Sequence, residues 1–262
     1  MNDLLKLLQS AKVYDLAQSY FVGMPHHPMH PPFLYSLTKK HGDYLIPGGG
    51  SSGSDALALG SHVGTHMDAL CHFSCGGKLY GGQEVSSVQS YIGGMQMHSI
   101  DTVAPIIRRG VLLDIAGQQK LNELPADFTI TPGHMEQAAR AQGVKIERGD
   151  VVLLRTGWGS FFNDAARFQG QMHGPGPGEE GARWLSGQGI AAAGSDTIAF
   201  ELAPSHFPVH IHLLVESGIH IIECLNLEQL AAEGVYEFVF IATPLKIKGG
   251  TGSPIRPIAL AS

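Results

Sequence analysis

Four short apolar runs decide what this chain can fold into. Val111-Leu112-Leu113-Asp114-Ile115 and Val151-Val152-Leu153-Leu154-Arg155 are each introduced by a Gly or Gly-Asp turn. Ile219-His220-Ile221-Ile222-Glu223 and Glu237-Phe238-Val239-Phe240-Ile241 continue the series. Runs of this length, rich in branched and aromatic side chains and bounded by turn residues, read as buried strands. Val103 to Ile107 is a weaker candidate because Pro105 interrupts it. Helix-like segments lie between the runs. Thr131 to Ala141 has an N-cap threonine, proline at the first helical position and Gly143 as its stop. Gly178 to Leu185, with Trp184 and Leu185 facing inward, and Val209 to Glu216 are two more. Strands alternating with helices predict an α/β or mixed α+β sheet rather than an all-β protein. With no internal repeat or linker, the expectation is one domain over residues 1–262. Gly48 to Ser54 and Gly174 to Gly178 read as surface or active-site loops.

Composition narrows the function classes. Hydrophobic residues make up 44% and charged residues only 15%, a compact globule, while 34 glycines and 15 prolines require many tight turns. Net charge is −6, and the basic pairs Lys39-Lys40 and Arg108-Arg109 are too few for a nucleic-acid surface. No apolar run approaches the length of a membrane span. Met1 to Leu8 looks like an amphipathic helix without the apolar run of a signal peptide. Three cysteines do not make a disulfide framework. The expected setting is cytoplasmic, with no membrane and no nucleic-acid partner.

The most concentrated chemistry is His62-Val63-Gly64-Thr65-His66-Met67-Asp68-Ala69-Leu70-Cys71-His72. A continuous strand would separate His62 from His66 by roughly 13 Å. Metal ligands must instead lie within about 2.0–2.2 Å of one ion. Gly64 and the β-branched Val63 and Thr65 discourage a continuous helix. The economical solution is a bend at Gly64-Thr65, with side chains converging from a turn and from the start of the next element. Imidazoles with a carboxylate leave coordination positions open, the pattern of a catalytic rather than a structural metal site. Thr65 is placed to fix the loop or a ligand through its hydroxyl. A second cluster follows in His206-Phe207-Pro208-Val209-His210-Ile211-His212, with Glu223 closing an apolar strand. A carboxylate there must be paired or coordinated.

His62-x-Gly64-Thr65-His66-x-Asp68-Ala69-x-x-His72 resembles the HxGTHxDxPxH signature of the cyclase family of metal-dependent hydrolases, which includes kynurenine formamidase and isatin hydrolase. The likeness extends to Val13-Tyr14-Asp15-Leu16 with Gly23-Met24-Pro25, to Gly110 through Asp114, to Gly149 through Gly157, and to His210-x-x-Leu213-Leu214 through Glu223. It implies a swivelling β/β/α single-domain fold, assembled as a homodimer or higher homo-oligomer. It implies His62, His66 and Asp68 as ligands of a first divalent metal, Mn²⁺ or Zn²⁺. Asp68 would bridge to a second ion held by His210 and Glu223 where two are used, with His72 as the catalytic acid/base. Leu70 stands where the signature has proline, and the spacing to Glu223 leaves His210 and His212 as alternatives, with His210 preferred.

The implied reaction is hydrolysis of an amide or lactam C–N bond in a small aryl substrate, with water activated by the metal and His72 moving the proton. The length of the chain favours the isatin-hydrolase type. Tyr20, Phe21, Met24, Pro25, Phe33 and Trp158 are candidate pocket residues. A metal-dependent lyase or dehydratase and a non-catalytic metal- or small-molecule-binding protein are the alternatives. A structural zinc site built from Cys71 and Cys75 is a third.

Overall fold

The computed structural model describes residues 2–261, so Met1 of the expected N-terminal helix, and both ends of the expected domain, lie outside the described residues. The architecture is mixed α/β, built on one nine-stranded sheet. Its strand order is Lys12–Asp15, Ile258–Ala261, Glu237–Ala242, Ile106–Asp114, Val151–Arg155, Ala192–Ser195, His220–Glu223, His66–Asp68 and Gly252–Pro254. The four strands from Ile106–Asp114 to His220–Glu223 run parallel to one another, and every other pairing is antiparallel.

All four strand runs read from the sequence are strands. Three of them hold parallel places buried on both faces, and Glu237–Ala242 flanks them antiparallel with one face exposed. The fourth parallel strand, Ala192–Ser195, was missed by sequence reasoning. Side chains alternate between two cores, as the period of a strand requires. Val151, Leu153, Leu112 and Ile222 enter one cluster with Met67, Phe238 and Phe240. Val152, Leu154, Leu113 and Ile221 enter the other, which is capped by helices. The first of these strands begins at Ile106, immediately after Pro105. Helix Pro132–Gln142 starts at Thr131, whose hydroxyl accepts from the His134 amide, and ends at Gly143. Helix Glu179–Gly187 buries Leu185 and half-buries Trp184. The third expected helix is a short helix, Pro208–His210, that widens into a π-type turn over Ile211–Glu216.

The glycine tracts part ways. Residues 48–53 are exposed between the two strands of a separate hairpin, Leu34–Lys39 and Ser54–Ala58. Gly174 to Pro177 is buried instead. A Cβ at Gly176 would collide with the backbone of Phe200 and Glu201, so glycine is what allows these two chain segments to touch. No helix among the described residues is long and apolar enough to cross a membrane.

Candidate metal centre

The bend expected at Gly64 is present. Gly64 has φ +62°, and a Cβ there would come within 2.5 Å of the Tyr20 ring. The Tyr20 hydroxyl sits at the carbonyls of Val63 (2.9 Å) and Thr65 (2.7 Å), which fixes the turn. Thr65 donates its hydroxyl to the Cys224 carbonyl at 2.6 Å and accepts from the Gln18 amide at 2.8 Å. It therefore anchors the start of strand His66–Asp68. Alternation along that strand turns His66 and Asp68 to one side while Met67 enters the core. His66 Nδ1 lies 2.8 Å from the Gly64 carbonyl. That contact places the ring proton on Nδ1 and leaves Nε2 as the lone-pair atom facing the cluster. After Asp68 the chain closes a turn through His72 N donating to Ala69 O at 2.9 Å. Leu70 occupies the signature's proline position in that turn and packs against the helix-side core.

The second arm arrives from the neighbouring strand and from a helix. Glu223 is the register partner of His66, at the end of the last parallel strand. His210 projects from the short helix that follows Phe207, whose φ is +58°. A buried carboxylate aims it: Glu201 accepts from the His210 amide at 3.0 Å and from its Nδ1 at 2.5 Å. The other Glu201 oxygen accepts from Ser205 at 2.5 Å. This is the carboxylate–histidine arrangement that fixes the ring of a metal-binding histidine.

All six expected side chains meet in one place. His66 Nε2 lies 3.5 Å from Asp68 and 3.4 Å from Glu223, and His210 Nε2 lies 3.3 Å from Glu223 and 3.9 Å from Asp68. Atoms sharing one tetrahedral ion at about 2.1 Å would stand about 3.4 Å apart. His62 Nδ1 is 2.7 Å from Asp68, and its Nε2 is held by Thr251 at 2.9 Å. His72 stacks on His62 with ring centroids 3.8 Å apart. In two triplets, His62–Asp68–His72 and Asp68–His210–Glu223, the possible ligand atoms lie within 4.8 Å of one another; Asp68 belongs to both, and His66 adjoins them through Asp68 and Glu223.

Two atoms test the fit to a cation most directly. Asp68 Oδ2 and Glu223 Oε1 are buried and have no hydrogen-bond partner. A buried carboxylate oxygen left unpartnered is costly, and a divalent cation removes the cost. The titration pattern agrees. Burial works against a charged His210, but its bond to Glu201 and the nearby Glu223 carboxylate prevail and raise it to about 10. Burial, joined by the charge of Asp68, raises Glu223 above the usual carboxylate range despite His210. Burial opposes ionisation of Asp68 too, yet the surrounding His72, His62 and His66 hold it well below that range. Without a cation, a proton on His210 offsets the carboxylate charge beside it. His72 differs: burial lowers it to about 3, so its ring is neutral.

The cluster floors a cavity of about 210 Å³, lined also by His27, Met29, His30, Phe73, Ile198, Ala199 and Phe207. The aromatic set expected from sequence is not this wall. Tyr20, Phe21, Met24 and Phe33 form a third small core beside it, because their rings pack on one another and on Val63. Trp158 is buried with its Nε1 bonded to the Leu124 carbonyl. His212 points away from the cluster, holding Glu216 at 2.6 Å and Ser186 at 2.8 Å. Cys71 is buried and Cys75 exposed, and among the described residues neither joins a metal-type cluster. Sequence reasoning missed Glu201, His27 and His30. The run Pro25-His26-His27-Pro28-Met29-His30 was a signal for the histidines. For Glu201 there was none, since only the fold brings it to His210.

Residues 14–202 match the family described as "Putative cyclase". The stretch includes His62, His66, Asp68 and His72 and stops short of His210 and Glu223. The chain is 30% identical over 214 residues to an isatin hydrolase of Roseibium aggregatum, covering 78% of this chain and 73% of that protein. It is 26% identical over 252 residues to a kynurenine formamidase of Bacillus cereus, covering 96% and 98%. The structure superposes with a TM-score of 0.89 on a crystal structure described as a novel cyclase, 31% identical, covering 99% of this chain and 90% of that one. Isatin hydrolase A from Ralstonia solanacearum gives 0.78 at 27% identity, covering 100% and 97%. A family match over most of the chain, a relative at this identity and a shared fold agree: the chain belongs to the cyclase family.

Proposed function

We propose that this protein is a metal-dependent hydrolase that opens a C–N bond in a small aryl amide, with a cyclic amide as the preferred substrate. The observation that carries the reading is the pair of unpartnered, buried carboxylate oxygens on Asp68 and Glu223 among imidazoles at the floor of a cavity. His62, His66 and Asp68 would hold one cation, and Asp68, His210 and Glu223 a second. Imidazole and carboxylate suit both Mn²⁺ and Zn²⁺. A divalent cation there supplies Lewis acidity and makes water acidic near neutral pH. His72 faces the same space, and among the described residues its ring nitrogens have no hydrogen-bond partner. Neutral and unengaged, it accepts the proton of the attacking water and returns it to the departing nitrogen.

The cavity wall supports the cyclic aryl amide over an amino-acid formamide. Apart from the cluster, His27 and His30, its lining is apolar, and no lysine or arginine lines it among the described residues. Away from the cluster, a zwitterionic amino-acid group would meet no fixed charge on that wall. We also propose that residues 1–262 act as one catalytic domain. The hairpin Leu34–Ala58 exposes Leu34, Leu37, Tyr44, Leu45, Ile46 and Leu57, which supports a homo-oligomer. Three free cysteines support a cytoplasmic setting.

The test is to strip the protein with a chelator, restore Mn²⁺ or Zn²⁺ singly, and assay isatin and N-formylkynurenine in ¹⁸O water. Metal-dependent opening of the lactam with one ¹⁸O incorporated is expected. Turnover without solvent oxygen would favour a lyase, and metal binding without turnover on either substrate would favour a binding protein.

A further inference from the structure

The strand that carries His66 and Asp68 is three residues long. On its Glu223 side the backbone ladder covers two pairs, His66↔Glu223 and Met67↔Ile222. A side chain extends the pairing past each end. Ahead of the strand the Thr65 hydroxyl donates to the Cys224 carbonyl, and at its far end His220 Nδ1 donates to the Asp68 carbonyl at 2.8 Å. A carbonyl oxygen only accepts, so the ring proton of this contact sits on Nδ1. His220 thus reaches from the strand that ends in Glu223 to the residue whose carboxylate stands across from it. The ring is half-buried, and the start of its strand is itself fixed. Gly218 has φ +67°, and a Cβ there would come within 2.5 Å of the Tyr80 ring.

We infer that His220 is a positioning residue: by tying the Asp68 backbone to the Glu223 strand it sets the gap between the two carboxylates, and with it the fit of both cations. This rests on the two-cation reading above, and His220 is itself no ligand. A shared carboxylate has to suit two ions at once. Its oxygens serve at about 2.0–2.2 Å from each, and an error of about 0.5 Å spoils the geometry. Asp68 belongs to both triplets, and its Oδ2 and Glu223 Oε1 are the buried oxygens that lack a partner. His66 Nε2 lies between the two carboxylates, 3.5 Å from Asp68 and 3.4 Å from Glu223. Slack at Asp68 changes the first distance without the second. The bond from His220 removes that slack where the ladder has already ended. Glu201 holds His210 and therefore serves one cation, whereas His220 holds the carboxylate that serves both.

The test compares His220→Leu, His220→Asn and His220→Gln with the unaltered protein, each stripped and then titrated calorimetrically with Mn²⁺ and with Zn²⁺. Asn carries its amide N–H where histidine carries Nδ1, whereas Gln carries it one atom further out. His220→Leu should weaken the binding of both cations about tenfold. His220→Asn should return to within about threefold of the unaltered protein, and His220→Gln should stay weak. The metal-free proteins should all unfold within about 4 °C of one another, so that the loss is one of geometry rather than of fold. Unchanged affinity in His220→Leu, loss at one cation alone, or equal recovery by Asn and Gln would overturn the assignment. If His220→Leu does not fold, the other pair decides: tight binding by His220→Asn with weak binding by His220→Gln upholds it, and equal binding refutes it. If the unaltered protein binds fewer than two cations, the two-cation reading fails and the inference falls with it. Two cations bound with no regard to residue 220 sink the inference alone.

Discussion

The two arms of the metal cluster are built in opposite ways. The arm from His62 to His72 is local: eleven consecutive residues supply a turn, a three-residue strand and a second turn. Its supports come from Tyr20, Gln18 and Thr251, but its side chains are placed mainly by their own backbone. The arm carrying His210 and Glu223 is assembled from distant pieces. Glu223 is set by sheet register, and His210 by Glu201 across a helix entry. A local arm tolerates change in its surroundings, whereas an assembled arm depends on residues that bind nothing themselves.

Asp68 is where the two meet, so its loss should be the largest effect. Asp68→Asn is expected to abolish tight binding of both ions and lower kcat/KM by on the order of 10³-fold or more. Metal analysis with steady-state kinetics checks this, and retention of either ion would show that the arms are independent. His72→Ala should leave metal content intact and lower kcat by roughly 10²-fold. Glu201→Gln probes the assembled arm alone. The His210 Nδ1 contact weakens, and affinity for the ion at that arm should fall about 10- to 100-fold while the other ion stays. Equal loss at both positions would erase the contrast.

How much of this was legible in the sequence follows the same divide. The local arm could be read from spacing, because bend, ligand alternation and anchoring threonine all lie within eleven residues. Three of the four central strands were legible too, since burial on both faces writes a continuous apolar run, whereas Ala192–Ser195, made of small residues, gave no such run. What else escaped depends on contacts between distant segments. Glu201 sits in an ordinary-looking Phe-Glu-Leu stretch, and its role exists only once Gly176 lets the backbones pack. The aromatic residues near the start were assigned to the pocket but pack against each other, while Phe73 and Phe207 took the wall. Aromatic type alone does not say which side of a thin layer a ring faces.

Leu70 gives the smallest expected effect. It stands second in the turn closed by Ala69 and His72, a position that suits proline. Leu70→Pro trades some packing for a stiffer turn, so Tm should move by no more than about 4 °C and metal affinity should hold. A large loss of metal would mean that the side chain, not the turn, positions His72.

The central claim is that Asp68, Glu223 and the imidazoles hold a cation that displaces protons. In the metal-free protein His210 is raised to about 10, above the 6.5 of an unfolded histidine. Its contribution to stability is therefore full below about 6.5 and lost as the pH rises through about 10. A bound cation must displace that proton, so binding tightens with pH over the same window. Calorimetric titration of the stripped protein with Mn²⁺ and with Zn²⁺, in buffers of different ionisation enthalpy between about pH 6 and pH 8, measures this directly. Release of about one proton per ion at the His210 arm, affinity rising with pH and no such signal from Asp68→Asn are expected. Absence of binding by either metal, or binding without proton release that persists in Asp68→Asn, would contradict it.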